Sequence, residues 1–170
     1  NLFLNYNIST NFNLGWFTQY FYTTQTDDNT RNLIFTSLYY NFLAKPALKG
    51  GFNYQYIAFK NQVPTSYFSP EKFNAMEVFV DISSKENAIF YSLNASTGYQ
   101  FIEDQEKQST YRIQAKLGYN FNERFLANMY GTRSNIASAT AAGFTFTEVG
   151  LVVKWDLTKK PIFYKKITLK

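Results

Sequence analysis

The sequence predicts an all-β fold, an antiparallel transmembrane β-barrel of the outer-membrane type, of which about nine strands are visible. Three observations predict it: apolar and polar residues alternate, the alternating segments are long, and short connections alternate with long ones along the chain. Because bacterial single-chain barrels have an even number of strands, we expect the chain to be part of a larger, even-stranded barrel.

The alternation has a period of two residues over long stretches. From Ile89 to Phe101 the odd positions hold apolar or aromatic residues or Thr, and the even positions are mostly Ser, Asn, Gly and Gln. Segment 111–121 repeats this pattern with basic and amide residues at the even positions. Successive side chains of a strand point to opposite faces, whereas a helix would scatter these residues around its circumference.

Read in this way, the chain contains strands over 1–9, 11–25, 31–44, 48–60, 73–83, 88–102, 109–121, 124–134 and 144–157. Most of these segments have about ten to fifteen residues, whereas ordinary strands have about five or six. A tilted strand that crosses a bilayer needs about nine to eleven residues. The lengths therefore favour a membrane barrel over a soluble β-sandwich, which is the alternative that the same alternation allows.

The connections divide into two kinds, as they do in outer-membrane barrels. Short turns are predicted at 9–11, 45–47, 84–87 and 122–123, and longer or more polar loops at 26–30, 61–72, 103–108 and 135–143. The side with the short turns would be periplasmic. Two units follow, barrel strands over 1–157 and a basic periplasmic tail over 158–170.

Composition narrows the function classes. Aromatic residues make up 20% of the chain, yet the mean hydropathy is slightly negative, which suits a sheet with one apolar and one wet face. Five lysines of the tail account for the net charge of +5, so the rest of the chain is neutral. Basic residues are scattered rather than gathered on one face, which argues against nucleic-acid binding. Cys and His are absent, and we expect no metal and no cofactor.

Alternation assigns the side chains to two faces. The expected lipid-facing residues are Leu14, Trp16, Tyr20, Tyr22, Ile34, Leu38, Tyr40, Phe42, Phe52, Tyr54, Tyr56, Met76, Val78, Val80, Ile82, Val149, Leu151, Val153, Trp155 and Leu157. The candidate lumen-facing residues are Asn53, Gln55, Glu77, Asp81, Asn94, Gln100, Arg112, Gln114, Lys116, Glu148 and Lys154. A charge that faced lipid at the bilayer midplane would cost about 2–4 kcal/mol. The polar side chains either pair across strands and fill the barrel or line a pore for a polar solute.

The residues do not favour an enzyme. Without His, a Ser nucleophile needs another base, and no Gly-x-Ser-x-Gly turn is present. Glu77 and Asp81 lie four residues apart on one strand face, which at about 3.4 Å per residue is too far for a coupled carboxylate pair. We expect no catalytic residues.

One loop has a more specific pattern. Tyr67, Phe68, Ser69 and Pro70 precede the predicted strand that begins at Phe73. A Tyr-aromatic-Ser-Pro-x-x-aromatic segment before a strand resembles the C-terminal outer-membrane barrels of cellulose synthase operon protein C and of related tetratricopeptide-repeat exopolysaccharide exporters. The resemblance implies that the motif is structural, that a periplasmic repeat domain delivers a glycan, and that the barrel exports it. Tyr67 and Phe68 could anchor the loop at the outer headgroup belt.

Three functions follow as alternatives. The first is a pore or exporter in the outer membrane of a Gram-negative bacterium, with membrane lipid as a partner and an exopolysaccharide as the candidate solute. The second is a plugged structural barrel that anchors a larger envelope complex, with its Lys-rich tail docking on other envelope proteins. The third is a soluble ligand-binding barrel, which would need its apolar face inward.

Overall fold

The computed structural model describes residues 2–9, 13–63, 68–86, 88–103, 106–135 and 145–156. These residues form antiparallel strands connected in sequence order within one nine-stranded sheet. The strands are β1 (Leu2–Ser9), β2 (Leu14–Thr24), β3 (Thr30–Ala44), β4 (Ala47–Phe59), β5 (Phe73–Glu86), β6 (Ile89–Ile102), β7 (Gln108–Asn120), β8 (Phe125–Ser134) and β9 (Phe146–Trp155).

The predicted all-β antiparallel fold is confirmed, and each predicted strand has a counterpart. Within the described ranges β1 and β9 do not pair, so the sheet is open between these two edges. All nine strands belong to a single sheet, whereas a β-sandwich packs two sheets against each other. No helix among these residues has the length and apolar character that a membrane-spanning helix requires.

The end of β5 differs from the prediction by three residues, as does the start of β2. The predicted strand ends at residue 83, whereas β5 continues to Glu86 and pairs Ser84 with Tyr91 and Glu86 with Ile89. Polar Ser, Lys and Glu resemble a turn in sequence, but pairing with the apolar start of β6 keeps them in the ladder. The turn between the two strands is therefore shorter than predicted.

At the end of the sheet opposite the β5–β6 turn, Asn29 joins two long connections. Its side chain is buried between the β2–β3 and β4–β5 connections. Its Oδ1 accepts hydrogen bonds from the backbone N–H of Thr30 and of Asn61, each at 2.9 Å. Its Nδ2 donates to the carbonyl of Asn61 at 2.8 Å. One side chain therefore ties two long connections together.

The register sorts the strand residues onto two faces that differ in charge. We call the face with Glu77 the inner face and the opposite face, with Val78, the outer face. Within the described strands the outer face carries charge only at Glu86 and Arg133, each at or next to the end of its strand. All other strand charges lie on the inner face: Arg31, Lys49, Glu77, Asp81, Lys85, Arg112, Lys116, Glu148 and Lys154.

The two faces also differ in burial. Apolar side chains are exposed on the outer face and several polar ones are buried on the inner face, the reverse of a water-soluble protein. Large apolar side chains of the outer face are exposed, for example Val78 at 58% and Leu151 at 72%. On the inner face the polar side chains of Gln100 and Thr110 are buried, at 1% and 2% exposure. The described lipid-facing candidates all lie on the outer face, and Leu157 lies outside the described residues.

Aromatic rings on the inner face lie flat against glycines of the neighbouring strand. Phe90 is paired directly with Gly118, and a Cβ on this glycine would lie 2.1 Å from Cζ of the ring. The pairs Tyr39–Gly15 and Tyr130–Gly150 repeat this arrangement. Because the glycines have no side chain, these rings lie along the wall of the sheet.

Replacing Gly118 by Ala should therefore displace the Phe90 ring and lower the free energy of unfolding by about 1–3 kcal/mol. Urea unfolding of the protein refolded in lipid vesicles measures this change. Gly131→Ala is the matched control, since a Cβ there would meet only the Glu148 carbonyl oxygen at 3.8 Å. Equal stability of the two variants would contradict the close packing of Phe90 on Gly118.

Candidate functional site

The candidate site is the polar inner face. All eleven predicted lumen-facing residues, from Asn53 to Lys154, lie on this face, as the pairing of each strand with the next shows. Side chains of β3 and β8 line the same cavity, although four strands lie between them. The sheet is therefore curved, and the inner face is its concave side.

One row of polar residues crosses the inner face at right angles to the strands. Lys49 is paired with Asp81, Asp81 with Asn94, and Asn94 with Gln114. The row continues through Thr132, which faces Gln114 on one side and Glu148 on the other. Within the row, Asn94 Nδ2 donates to Asp81 Oδ2 at 3.5 Å, a long hydrogen bond.

A second group of polar residues lies closer to the long-loop end and is more buried. Ser96 donates its hydroxyl to Glu77 Oε1 at 3.0 Å, and both side chains are buried. Gln100 Nε2 donates to Gln108 Oε1 at 2.8 Å. An unpaired carboxylate in such a place would be costly, so the Ser96 hydroxyl stabilises Glu77 where it is.

Several inner-face residues that complete these groups were not among the predicted site residues. Tyr130 donates its hydroxyl to Glu148 Oε1 at 2.9 Å, across β8 and β9. Ser96 bonds to Glu77, and Thr132 belongs to the row of polar residues that crosses the inner face. The period-two alternation assigns all three to the inner face, so this signal was present in the sequence. Which of them would bond to a carboxylate depends on the register between strands.

Two cavities lie on the inner face. The first has a volume of about 540 Å³, and Asp81, Asn94, Arg112 and Gln114 line it together with Lys49. The second has about 860 Å³ and lies at the short-turn end, between the β3–β4 turn and the paired ends of β5 and β6. Its lining includes lysines, serines and asparagines beside apolar side chains, whereas the first cavity is lined mainly by polar groups, which suit a polar solute.

On β4 and β5 the long-loop end of the inner face is apolar instead. Ile57, Phe59, Phe73 and Ala75 form a buried cluster there, and half-buried Phe68 packs against it. The Phe68 and Phe73 rings meet edge to face, with centroids 5.8 Å apart.

The loop motif holds Phe68 in this position. Ser69 and Pro70 are buried, Ser69 Oγ accepts a hydrogen bond from the Val63 backbone N–H at 2.6 Å, and the Pro70 carbonyl accepts one from the Phe59 N–H. The expectation that Phe68 anchors at an outer headgroup belt is wrong, because its ring packs on the inner-face cluster. Tyr67 lies outside the described residues.

A row of aromatic side chains lies on the outer face at the short-turn end. Phe121 and Phe125, on either side of the β7–β8 turn, have ring centroids 4.9 Å apart, and Phe125 contacts Trp155 at 6.4 Å. Tyr119 extends this row on the other side of Phe121, at 4.9 Å. On β5–β9 the middle of the outer face is mostly aliphatic, with residues such as Val80, Leu93, Ile113, Leu117 and Leu151.

Glu77 and Asp81, two acidic residues of the inner face, each bond to a different neutral side chain. Glu77 is bonded to Ser96 and Asp81 to Asn94, and these partners lie on different rows of the sheet. In the part of the chain that the structure describes, no group of three or more His, Cys, Asp or Glu residues could hold a metal ion.

No protein-family model matches the chain, and no curated protein and no solved structure matches it either. The fold and the arrangement of the two faces are therefore the basis for the functional conclusions.

Phe68→Ala should loosen the β4–β5 connection, because the variant loses the edge-to-face contact with Phe73 and leaves part of the apolar cluster exposed. We expect a loss of about 2 kcal/mol in the free energy of unfolding and faster proteolytic cleavage in 60–72. Lys60→Ala is the control, since Lys60 is exposed at the start of the same connection. Unchanged cleavage in Phe68→Ala would contradict the inward packing of this ring.

Proposed function

We propose that the chain is part of the wall of an outer-membrane β-barrel whose polar inner face lines a pore for a polar solute. The observation that carries the proposal is the separation of charge. Within the strands that the structure describes, inner-face charges are distributed along the strands, whereas the outer face has charge only at Glu86 and Arg133, near strand ends. This pattern suits a sheet with lipid on one side and water on the other.

The exposed outer face is hard to reconcile with water on both sides. Soluble monomers rarely expose apolar patches larger than a few hundred Å². Here exposed apolar side chains occur on every strand, with Leu4 on β1 and Leu151 on β9 among them. A soluble ligand-binding barrel would direct these side chains inward, against the observed register.

The directions of the two edge strands, β1 and β9, determine how the barrel would close. In a sequential antiparallel sheet of nine strands, β1 and β9 run in the same direction, so pairing them directly would be parallel. Antiparallel closure requires an odd number of further strands between them, from the same chain or from another. The edges would have to be paired in lipid, because hydrocarbon offers no partners for backbone N–H and C=O groups.

The two ends of the sheet support an orientation. Short turns such as Lys45-Pro46 would lie in the periplasm, and the longer connections, such as 60–72, would face the outside of a Gram-negative cell. The outer-face row from Tyr119 to Trp155 would then lie at the periplasmic headgroup level, where aromatic side chains are favoured. The proposed basic tail, 158–170, lies outside the described residues.

An exopolysaccharide is the candidate solute, because the loop motif resembles that of exopolysaccharide exporters. Hydroxyl-rich sugars suit the amides of the inner face, such as Asn53, Gln55, Asn94 and Gln114. We do not propose an enzyme, because the chain contains no His to act as a general base and the inner-face carboxylates Glu77 and Asp81 bond to neutral side chains.

A plugged structural barrel that anchors an envelope complex is the second candidate. The apolar cluster with Phe68 favours it, since this cluster covers the long-loop end of the inner face on β4 and β5. In such a barrel the inner polar residues would serve mainly to pair across strands.

Planar-bilayer conductance of the full-length, detergent-purified protein tests the pore, with and without added oligosaccharide. We expect discrete conductance steps, and block by the sugar would support a glycan as the solute. Folding and insertion are checked by resistance of the strands to protease. A folded, inserted protein without conductance would contradict the pore and favour the plugged barrel.

A further inference from the structure

Basic side chains gather in the two cavities on the inner face. The cavity at the short-turn end is lined by Lys45, Lys85 and Lys116, with Glu86 as its one acidic residue among the described lining. Lys116 also lines the neighbouring cavity. Through this shared residue the two cavities form one basic region on the concave face.

The second cavity has the same excess of positive charge. Lys49, Arg112 and Lys116 line it, and Asp81 is the acidic residue among its described lining residues. Lys49 lies directly opposite Asp81, but among the described residues the Asp81 carboxylate forms no ion pair and accepts a hydrogen bond from neutral Asn94. Positive charge therefore exceeds negative charge in both cavities.

These cations are not neutralised by ion pairs within the described part of the chain. The ion pair found there joins Lys154 and Asp156, at 3.8 Å and largely exposed. Lys49 and Lys116 instead lie over the rings of Tyr39 and Phe90, each 5.6 Å from the ring centroid. A ring face attracts a cation but leaves its full charge available to an anion.

The excess is local to one part of the wall. The described parts of β1 and β2 contain no charged residue, and β3 has only Arg31, near its long-loop end. The inner face there carries amides and rings, such as Gln19, Phe17 and Phe35. The basic region thus lies on β4–β7 and the turns that join their short-turn ends.

We propose that this basic region makes the pore anion-selective, and that the natural solute carries carboxylate or phosphate groups. The inference rests on the proposed pore function and adds the charge class of its solute. Unpaired cations in a narrow passage raise the local concentration of anions and oppose the entry of cations. A neutral solute would need no such excess of lysine and arginine.

Reversal potentials of single pores in a KCl gradient test the inference in the full-length protein. We expect chloride to be more permeant than potassium. Because screening shortens the Debye length from about 30 Å at 0.01 M salt to about 3 Å at 1 M, the preference should weaken as salt rises. Lys85→Glu and Lys116→Glu should each lower the chloride-to-potassium permeability ratio about two-fold at low salt.

Lys107→Glu is the matched control. It makes the same change of charge, but the Lys107 ammonium lies 3.5 Å over the Tyr99 ring on the outer face, away from both cavities. Its permeability ratio should equal that of the wild-type protein. Exposed Lys85 and Lys116 can be replaced without disturbing a buried contact, so folding of these variants is expected and is checked by protease resistance.

The possible results distinguish the anion selectivity of the pore from the existence of the pore itself. Conductance without anion preference, or a preference that Lys85→Glu and Lys116→Glu leave unchanged, would overturn the inference while leaving the pore in place. No conductance from the folded, inserted protein would overturn the proposed pore and the inference with it.

Discussion

The rest of the structure depends on one constraint, the placement of charge on a single face of a continuous sheet. Nine strands alternate in phase, so the inner face has charged side chains well inside its strands, such as Glu77 and Arg112, while the outer face has apolar side chains at the same levels. A one-residue slip of β7, for example, would move its charges to the outer face. The register therefore keeps the two faces distinct, as the proposed membrane wall requires.

The inner face is stabilised largely by contacts between neighbouring strands. The Ser96–Glu77 and Gln100–Gln108 hydrogen bonds satisfy polar groups that are buried, and the Phe90 ring lies on Gly118. The carboxylates thus accept hydrogen bonds from neutral hydroxyl and amide groups, whereas several lysines face the cavities without a described carboxylate partner. Because neutral groups bond to the carboxylates and the cavity lysines have no described carboxylate partner, positive charge exceeds negative charge in the cavities of the concave face.

Alternation and connection length were sufficient to predict the strands and the face of the candidate residues that the structure describes. Alternation could not predict the end of β5, because polar Ser84 and Glu86 resemble a turn until they pair with β6. It also could not predict that Phe68 packs inward, since a loop has no strand period to follow. The bonds of Glu77 and Asp81 depend on register between strands, and this is a property of the assembled sheet rather than of any segment.

The most direct test of the two-faced wall is a spin-label scan along β6 from Tyr91 to Ala95, in the full-length protein on a cysteine-free background in lipid vesicles. Collisions with oxygen report lipid exposure, and collisions with a water-soluble nickel complex report aqueous exposure. The account predicts high oxygen accessibility at Tyr91, Leu93 and Ala95 and high nickel accessibility at Ser92 and Asn94. Nickel accessibility that is highest at Leu93 and Ala95, or that lacks a period of two, would contradict it.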